Sequence, residues 1–111
     1  MSEKDTANLL AIVEAAEKII QFSSGFIDAD SFLEDSKSFD ACMMNFVVIG
    51  ETTTKLSSSF KQTHKHISWS KTKALRNIIA YDYFGIDAEE VWQIIQKHIP
   101  KLISDIKQIL L

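Results

Sequence analysis

The string Arg76-Asn77-Ile78-Ile79-Ala80-Tyr81-Asp82-Tyr83-Phe84-Gly85-Ile86-Asp87 sets a guanidinium, an amide and two phenols into an otherwise helical pattern. Arg76 and Tyr83 are seven residues apart, about two turns, so a continuous helix places them roughly 20° apart around its axis. Asn77 and Tyr81, four apart, form a second, adjacent stripe. One helix end would then offer all four groups to a common surface. A guanidinium fork can hold two phosphate oxygens at once. Such a surface suits an anion or a nucleic acid.

The string resembles the signature of the HepT-like branch of the HEPN superfamily: Arg, any four residues, His, any one residue, Tyr. Arg76 takes the Arg position, Asn77 the Asn that commonly follows, and Tyr83 the final Tyr. Tyr81 stands where the motif has His. Phe84-Gly85-Ile86-Asp87 is similar to the family's continuation. Phe32-Leu33-Glu34-Asp35, Ile49-Gly50-Glu51, Ile67-Ser68-Trp69 and Val91-Trp92-Gln93-Ile94-Ile95 fall where the family has comparable segments.

The resemblance implies a metal-independent endoribonuclease, the toxin of a HepT/MNT toxin–antitoxin pair. In that chemistry the ribose 2′-hydroxyl attacks the neighbouring phosphate while a His moves protons and the Arg steadies the phosphoryl oxygens. It makes Arg76 and Tyr81 the catalytic positions, with Asn77 and Tyr83 as support or RNA contacts. It implies a homodimer with facing motifs, and a small nucleotidyltransferase antitoxin of the MNT type that attaches AMP to Tyr83. No cofactor and no metal are implied.

Tyr81 opens an alternative. An unperturbed Tyr has a pKa near 10 against about 6.5 for His, so it can donate a hydrogen bond or act as an acid but is a poor base. A catalytically degenerate HEPN domain that binds the nucleotidyltransferase or RNA is the second reading. Bland readings stand beside both. Arg76 could pair with Asp82, Asp87 or Glu51, and Tyr83 could be a packed aromatic.

The 111 residues, 46% hydrophobic and 24% charged, predict one globular domain over 1–111. Three Gly and one Pro argue against an all-β chain. The net charge of −3 speaks against a broad basic footprint. Lys55, Lys61, Lys65, Lys71, Lys73 and Arg76 nevertheless form a basic segment, either a local anion site or a solvated face. Cys42 is single, so no internal disulfide can form and a reducing, cytoplasmic setting is expected. Its apolar neighbours predict a buried, inert thiol. The charged N-terminus lacks a signal-peptide pattern, and no apolar stretch approaches the ~20 residues of a membrane span. His64 and His66 could chelate, but no carboxylate or Cys matches their spacing.

The elements that must position the motif are helical. Leu9, Ile12, Val13, Ala16, Ile19 and Ile20 predict an amphipathic helix from about Lys4 to Phe22, ended at Ser23-Ser24-Gly25. Asp28 or Asp30 caps a short turn through Leu33. Ser36 or Ser38 opens a long helix to about Lys61, with Phe39, Met43, Phe46, Gly50, Thr53, Leu56 and Phe60 as its stripe. Gly50 in that stripe costs about 1 kcal/mol relative to Ala, which points to close approach of another backbone rather than to a substrate contact. Thr63 to Ser68 reads as a loop. The motif helix runs from about Ser70 to Tyr83 and ends at Gly85. Asp87 caps the last helix, with Glu89 and Glu90 in its first turn. Val91, Ile94, Ile95, Ile99, Leu102, Ile103, Ile106 and Ile109 form its core face, and Pro100 should kink or split it. Trp69 and Trp92 read as anchors. The expected architecture is an all-α, up-and-down four-helix bundle with short additional helices.

Overall fold

Serine and aspartate side chains decide where the first four helices of this chain begin. The structure is a computed structural model that describes residues 1–78 and 88–111. Helix α1 (Glu3–Ser23) starts behind Ser2, whose Oγ accepts from the Asp5 backbone N–H at 3.0 Å. Helix α2 (Ala29–Glu34) is capped by Asp28, which accepts from the Ser31 N–H at 2.8 Å. Helix α3 (Ser36–Thr54) is capped by Asp35, not by either serine, because its carboxylate accepts from the Ser38 N–H at 3.1 Å. At the far end of α1, Ser23 Oγ donates to Ile19 O at 2.7 Å and Ser24 Oγ to Gln21 O at 2.8 Å. Those hydroxyls satisfy the last carbonyls. Gly25 follows as expected, but outside the left-handed conformation of a glycine cap.

The fold is the expected all-α bundle with short extra helices. Helices α1 and α3 pack along each other, joined by Leu9, Ile12, Ile19, Phe46 and Ile49, all fully buried. Each such side chain contributes about 1.5–3 kcal/mol by leaving water. The other side of α1 takes the C-terminal helix, where Lys107 pairs with Glu17 at 3.0 Å. The other side of α3 takes the helix that leads into the motif. Phe26, Phe39 and Trp92 each pack tilted against Phe32, with centroids 5.3–5.6 Å from it. All seven stripe residues from Phe39 to Phe60 are buried. Trp69 is the second anchor, its indole N–H donating to His64 O at 3.0 Å.

Two expected helices are broken. The long helix stops at Thr54 and restarts as α4 (Ser58–Thr63). Buried Asp5 causes the break: its carboxylate accepts from the Ser57 N–H at 2.9 Å and from Ser57 Oγ at 2.6 Å. That bond draws Ser57 into the extended conformation of an N-cap. The motif helix begins as α5 (Trp69–Ala74) but tightens to a 3₁₀ turn over Leu75–Asn77. The uniform 100° step that aligned Arg76 with Tyr83 therefore does not hold through Arg76 itself. The C-terminal segment is split as Pro100 predicts, into α6 (Ala88–Gln93), a π turn over Ile94–His98, and α7 (Ile99–Leu110). Pro100 has no N–H to give Gln96 and its ring would press on that carbonyl; the wider π turn accommodates both. Gly85 as a helix end and Asp87 as a cap lie outside the described residues.

Candidate functional site

Arg76 is positioned by its backbone. A Cβ added to Gly50 would stand 2.7 Å from the Arg76 Cα and in collision with its N. Only glycine lets α3 come this close to the 3₁₀ turn, which is the close approach expected from a glycine in a core stripe. With its backbone seated there, the Arg76 side chain emerges half-buried, its side chain 35% exposed. Nη1 lies 3.9 Å from Glu51 Oε1, whose side chain is 57% exposed. A long pair between exposed groups is worth about 0–1 kcal/mol. Of the three carboxylates that could pair with Arg76, Glu51 is loosely paired; Asp82 and Asp87 lie outside the described residues. Among the described residues, no stronger partner holds the guanidinium.

Asn77 is exposed beside Arg76 at the end of the 3₁₀ turn. Tyr81 and Tyr83 lie outside the described residues, so the structure joins only the first half of the motif. Lys55, Lys65, Lys71 and Lys73 are exposed and Lys61 half-buried. The basic segment is thus a solvated surface spread from the end of α3 through α4 and α5.

A cleft of about 470 Å³ opens on a different flank of the same helix, between Leu75 and Ile78 on one side and Val91 and Ile94 on the other. Lys71, Glu90, Gln93 and Lys97 also line it. His98, at the end of the π turn, also lines it. Burial, with Lys71 and Lys101 nearby, lowers the His98 pKa from the usual value, and its Nε2 is buried with no hydrogen-bond partner among the described residues. Sequence reading leaves His98 isolated in the final helix. Its meeting with Lys71 depends on the tertiary packing of two segments, and the only local signal is Pro100 two residues on.

The remaining candidates are structural. Cys42 is fully buried, its Sγ 3.7 Å from Ile19 O, and burial pushes its pKa to about 12. It is the inert thiol expected. The His64 and His66 rings lie 5.9 Å apart, and among the described residues no three His, Cys, Asp or Glu side chains are grouped to hold a metal ion. No helix among the described residues is long and apolar enough to cross a membrane.

An all-α bundle agrees with what similarity shows. The family described as "Ribonuclease HepT-like" matches residues 12–109, and the chain belongs to this HepT-like ribonuclease family. A Methanocaldococcus jannaschii protein named "Putative RNase MJ1380" is 30% identical over 108 residues, covering 96% of this chain and 98% of its own. A second from the same organism, "Putative RNase MJ0127", is 32% identical over 111 residues, covering 99% and 91%. "Probable ribonuclease HepT" of Thermococcus cleftensis is 32% identical over 91 residues, 82% of each chain. No solved structure matches significantly.

Proposed function

We propose that this chain is a metal-independent endoribonuclease, the cytoplasmic toxin of a HepT/MNT toxin–antitoxin pair, acting as a homodimer on RNA. Family membership supplies the reaction class. The observation that carries the site is Arg76: its backbone is fixed against Gly50 while, among the described residues, its guanidinium has only the long pair with Glu51. A fixed cation with an exposed head is what stabilising a phosphorane requires. The 2′-oxygen bonds to phosphorus, the bond to the 5′-oxygen breaks, and the proton from the 2′-hydroxyl must be taken up while the leaving oxygen gains one. The products are a 2′,3′-cyclic phosphate and a 5′-hydroxyl. Tyr81 suits the acid half of that exchange better than the base half. Asn77 adds a hydrogen-bonding amide next to Arg76.

Neutralisation follows from Tyr83. An MNT-type nucleotidyltransferase that joins its phenol oxygen to the α-phosphate of ATP, releasing pyrophosphate, would place an anion and a base close to Arg76 in sequence and block RNA by charge and volume. Tyr81 favours one second reading, a degenerate HEPN domain that binds the nucleotidyltransferase or RNA without turnover.

The test is cleavage of a defined RNA by the purified chain beside Arg76→Ala and Tyr81→His. Cyclic-phosphate products that vanish with Arg76→Ala support the enzyme. Cleavage by Tyr81→His alone supports the degenerate domain. Incubation with the nucleotidyltransferase and ATP should add AMP to Tyr83, and an adduct undiminished in Tyr83→Phe would remove that residue as the switch.

A further inference from the structure

The cleft beside the 3₁₀ turn has a composition that the Arg76 surface does not explain. Its walls are Leu75 and Ile78 facing Val91 and Ile94, four aliphatic side chains from two segments. Its volume of about 470 Å³ falls in the range of about 300–1,000 Å³ typical of small-molecule sites. Lys71 and Lys97, one from each of the two segments, also line the cleft, and among the described residues neither forms an ion pair. His98 also lines it and carries a buried ring nitrogen with no partner among the described residues, although nearly all buried polar atoms are satisfied. A ligand that meets all of this is flat and apolar on its faces, carries hydrogen-bonding edges, and bears a negative charge at one end.

We propose that this cleft is a nucleotide-binding site, taking one nucleobase between the Leu75–Ile78 and Val91–Ile94 walls with its phosphate held between Lys71 and Lys97. The base faces meet aliphatic surface, and the base edge lies near His98 and the amide of Gln93. A neutral imidazole offers one donor and one acceptor, so His98 can meet a base edge that carries both. Gln93 gives its amide N–H to Glu89 at 2.7 Å, which orients its carbonyl oxygen and leaves it able to accept. A fatty acyl anion would satisfy the walls and the lysines but would leave His98 and Gln93 without work. The inference rests in part on the ribonuclease reading, which makes RNA the natural source of such a unit; a free mononucleotide is the other source.

Binding can be measured without cleavage. Methyl and imidazole NMR signals of the labelled full chain are followed during titration with AMP and, separately, with a short uncleavable 2′-O-methyl oligonucleotide. AMP should shift the Ile78, Val91 and Ile94 methyls and the His98 ring, and leave Ile12 and Ile19 on α1 unmoved. Shifts with the oligonucleotide alone assign the site to a strand; shifts with both assign it to any nucleotide. Lys97→Glu, at an exposed position that leaves the core intact, should weaken binding about tenfold through loss of a charge-assisted bond. Arg76→Ala should abolish cleavage yet leave the AMP-induced cleft shifts in place, so the two readings fail separately. Silent cleft methyls at millimolar nucleotide would overturn the proposal. So would shifts confined to residues flanking Arg76 and Glu51, or decanoate binding in the cleft where AMP does not.

Discussion

Gly50 of α3 and Arg76 of the 3₁₀ turn are in backbone contact, so close that a methyl group on Gly50 would overlap the Arg76 main chain. Two segments of the fold are thereby locked at the chain's single arginine. The glycine is a helix weakener by about 1 kcal/mol relative to Ala, so Gly50→Ala tests which effect is larger. Because the collision is with backbone and not with a pliant side chain, the substitution should destabilise by about 1–3 kcal/mol. Urea unfolding of the two proteins decides, and an alanine variant of equal or greater stability would dissolve the idea that this contact positions Arg76. RNA cleavage should fall further than the unfolded fraction explains.

The pair with Glu51 makes the opposite prediction. At 3.9 Å between partly exposed groups, it contributes at most about 1 kcal/mol and less in salt. Glu51→Gln should leave the unfolding midpoint almost unchanged. Arg76→Ala should also be mild in stability while removing RNA binding or cleavage. A large stability loss with Arg76→Ala, cancelled when Glu51 is also replaced, would instead make Arg76 a structural arginine.

Much of this arrangement was legible in residue order, and what was not has a common cause. Phe39, Met43, Phe46, Gly50, Thr53, Leu56 and Phe60 step by three or four and all are buried, because helical period and burial are set locally. The interruption at Ser57 was invisible, since the apolar stripe continues through it; the deciding contact comes from Asp5, 52 residues away. The 3₁₀ turn at Leu75–Asn77 was hidden likewise, with no Gly or Pro inside it and its place set by packing on α3. Arg76 was found from its neighbours in sequence. His98 was not tied to Lys71, because two segments must fold together before they meet.

Asp5 gives a stability test of that long-range contact. Its carboxylate is buried and takes both hydrogen bonds from Ser57, which together hold its pKa below the usual carboxylate value. Asp5→Ala should destabilise by about 1–3 kcal/mol, because the Ser57 amide loses its partner. A depressed folded pKa means the contribution is complete above the unfolded value near 3.8 and disappears as pH falls through the folded one. The wild type and Asp5→Ala should therefore converge in stability under strong acid. A gap that stays constant down to about pH 2 would show that packing, not the charged hydrogen bonds, carries the effect.

His98 should make the fold acid-sensitive in a separate window. Its imidazole is half-buried, and the charges of Lys71 and Lys101 add to burial in pushing its pKa below the usual 6.5. Glu90 and Lys97 also line the cleft it faces, but the two lysines that lower its pKa oppose protonation. The unfolded chain accepts a proton on this side chain near pH 6.5 and the folded chain resists it. Stability should thus be complete above about 6.5, decline as pH falls towards the folded value, and decline no further once both states are protonated. His98→Gln removes the titrating group, so whatever its own stability, its unfolding free energy should lose that part of the slope between about pH 7.5 and 5.5. The decisive comparison is the slope and not the absolute value, because glutamine alters packing at every pH. Ring NMR signals assigned to His98 provide a second, independent reading. If they titrate at or above 6.5, or if the variant keeps the wild-type slope, the imidazole is not held neutral by burial and its two lysine neighbours.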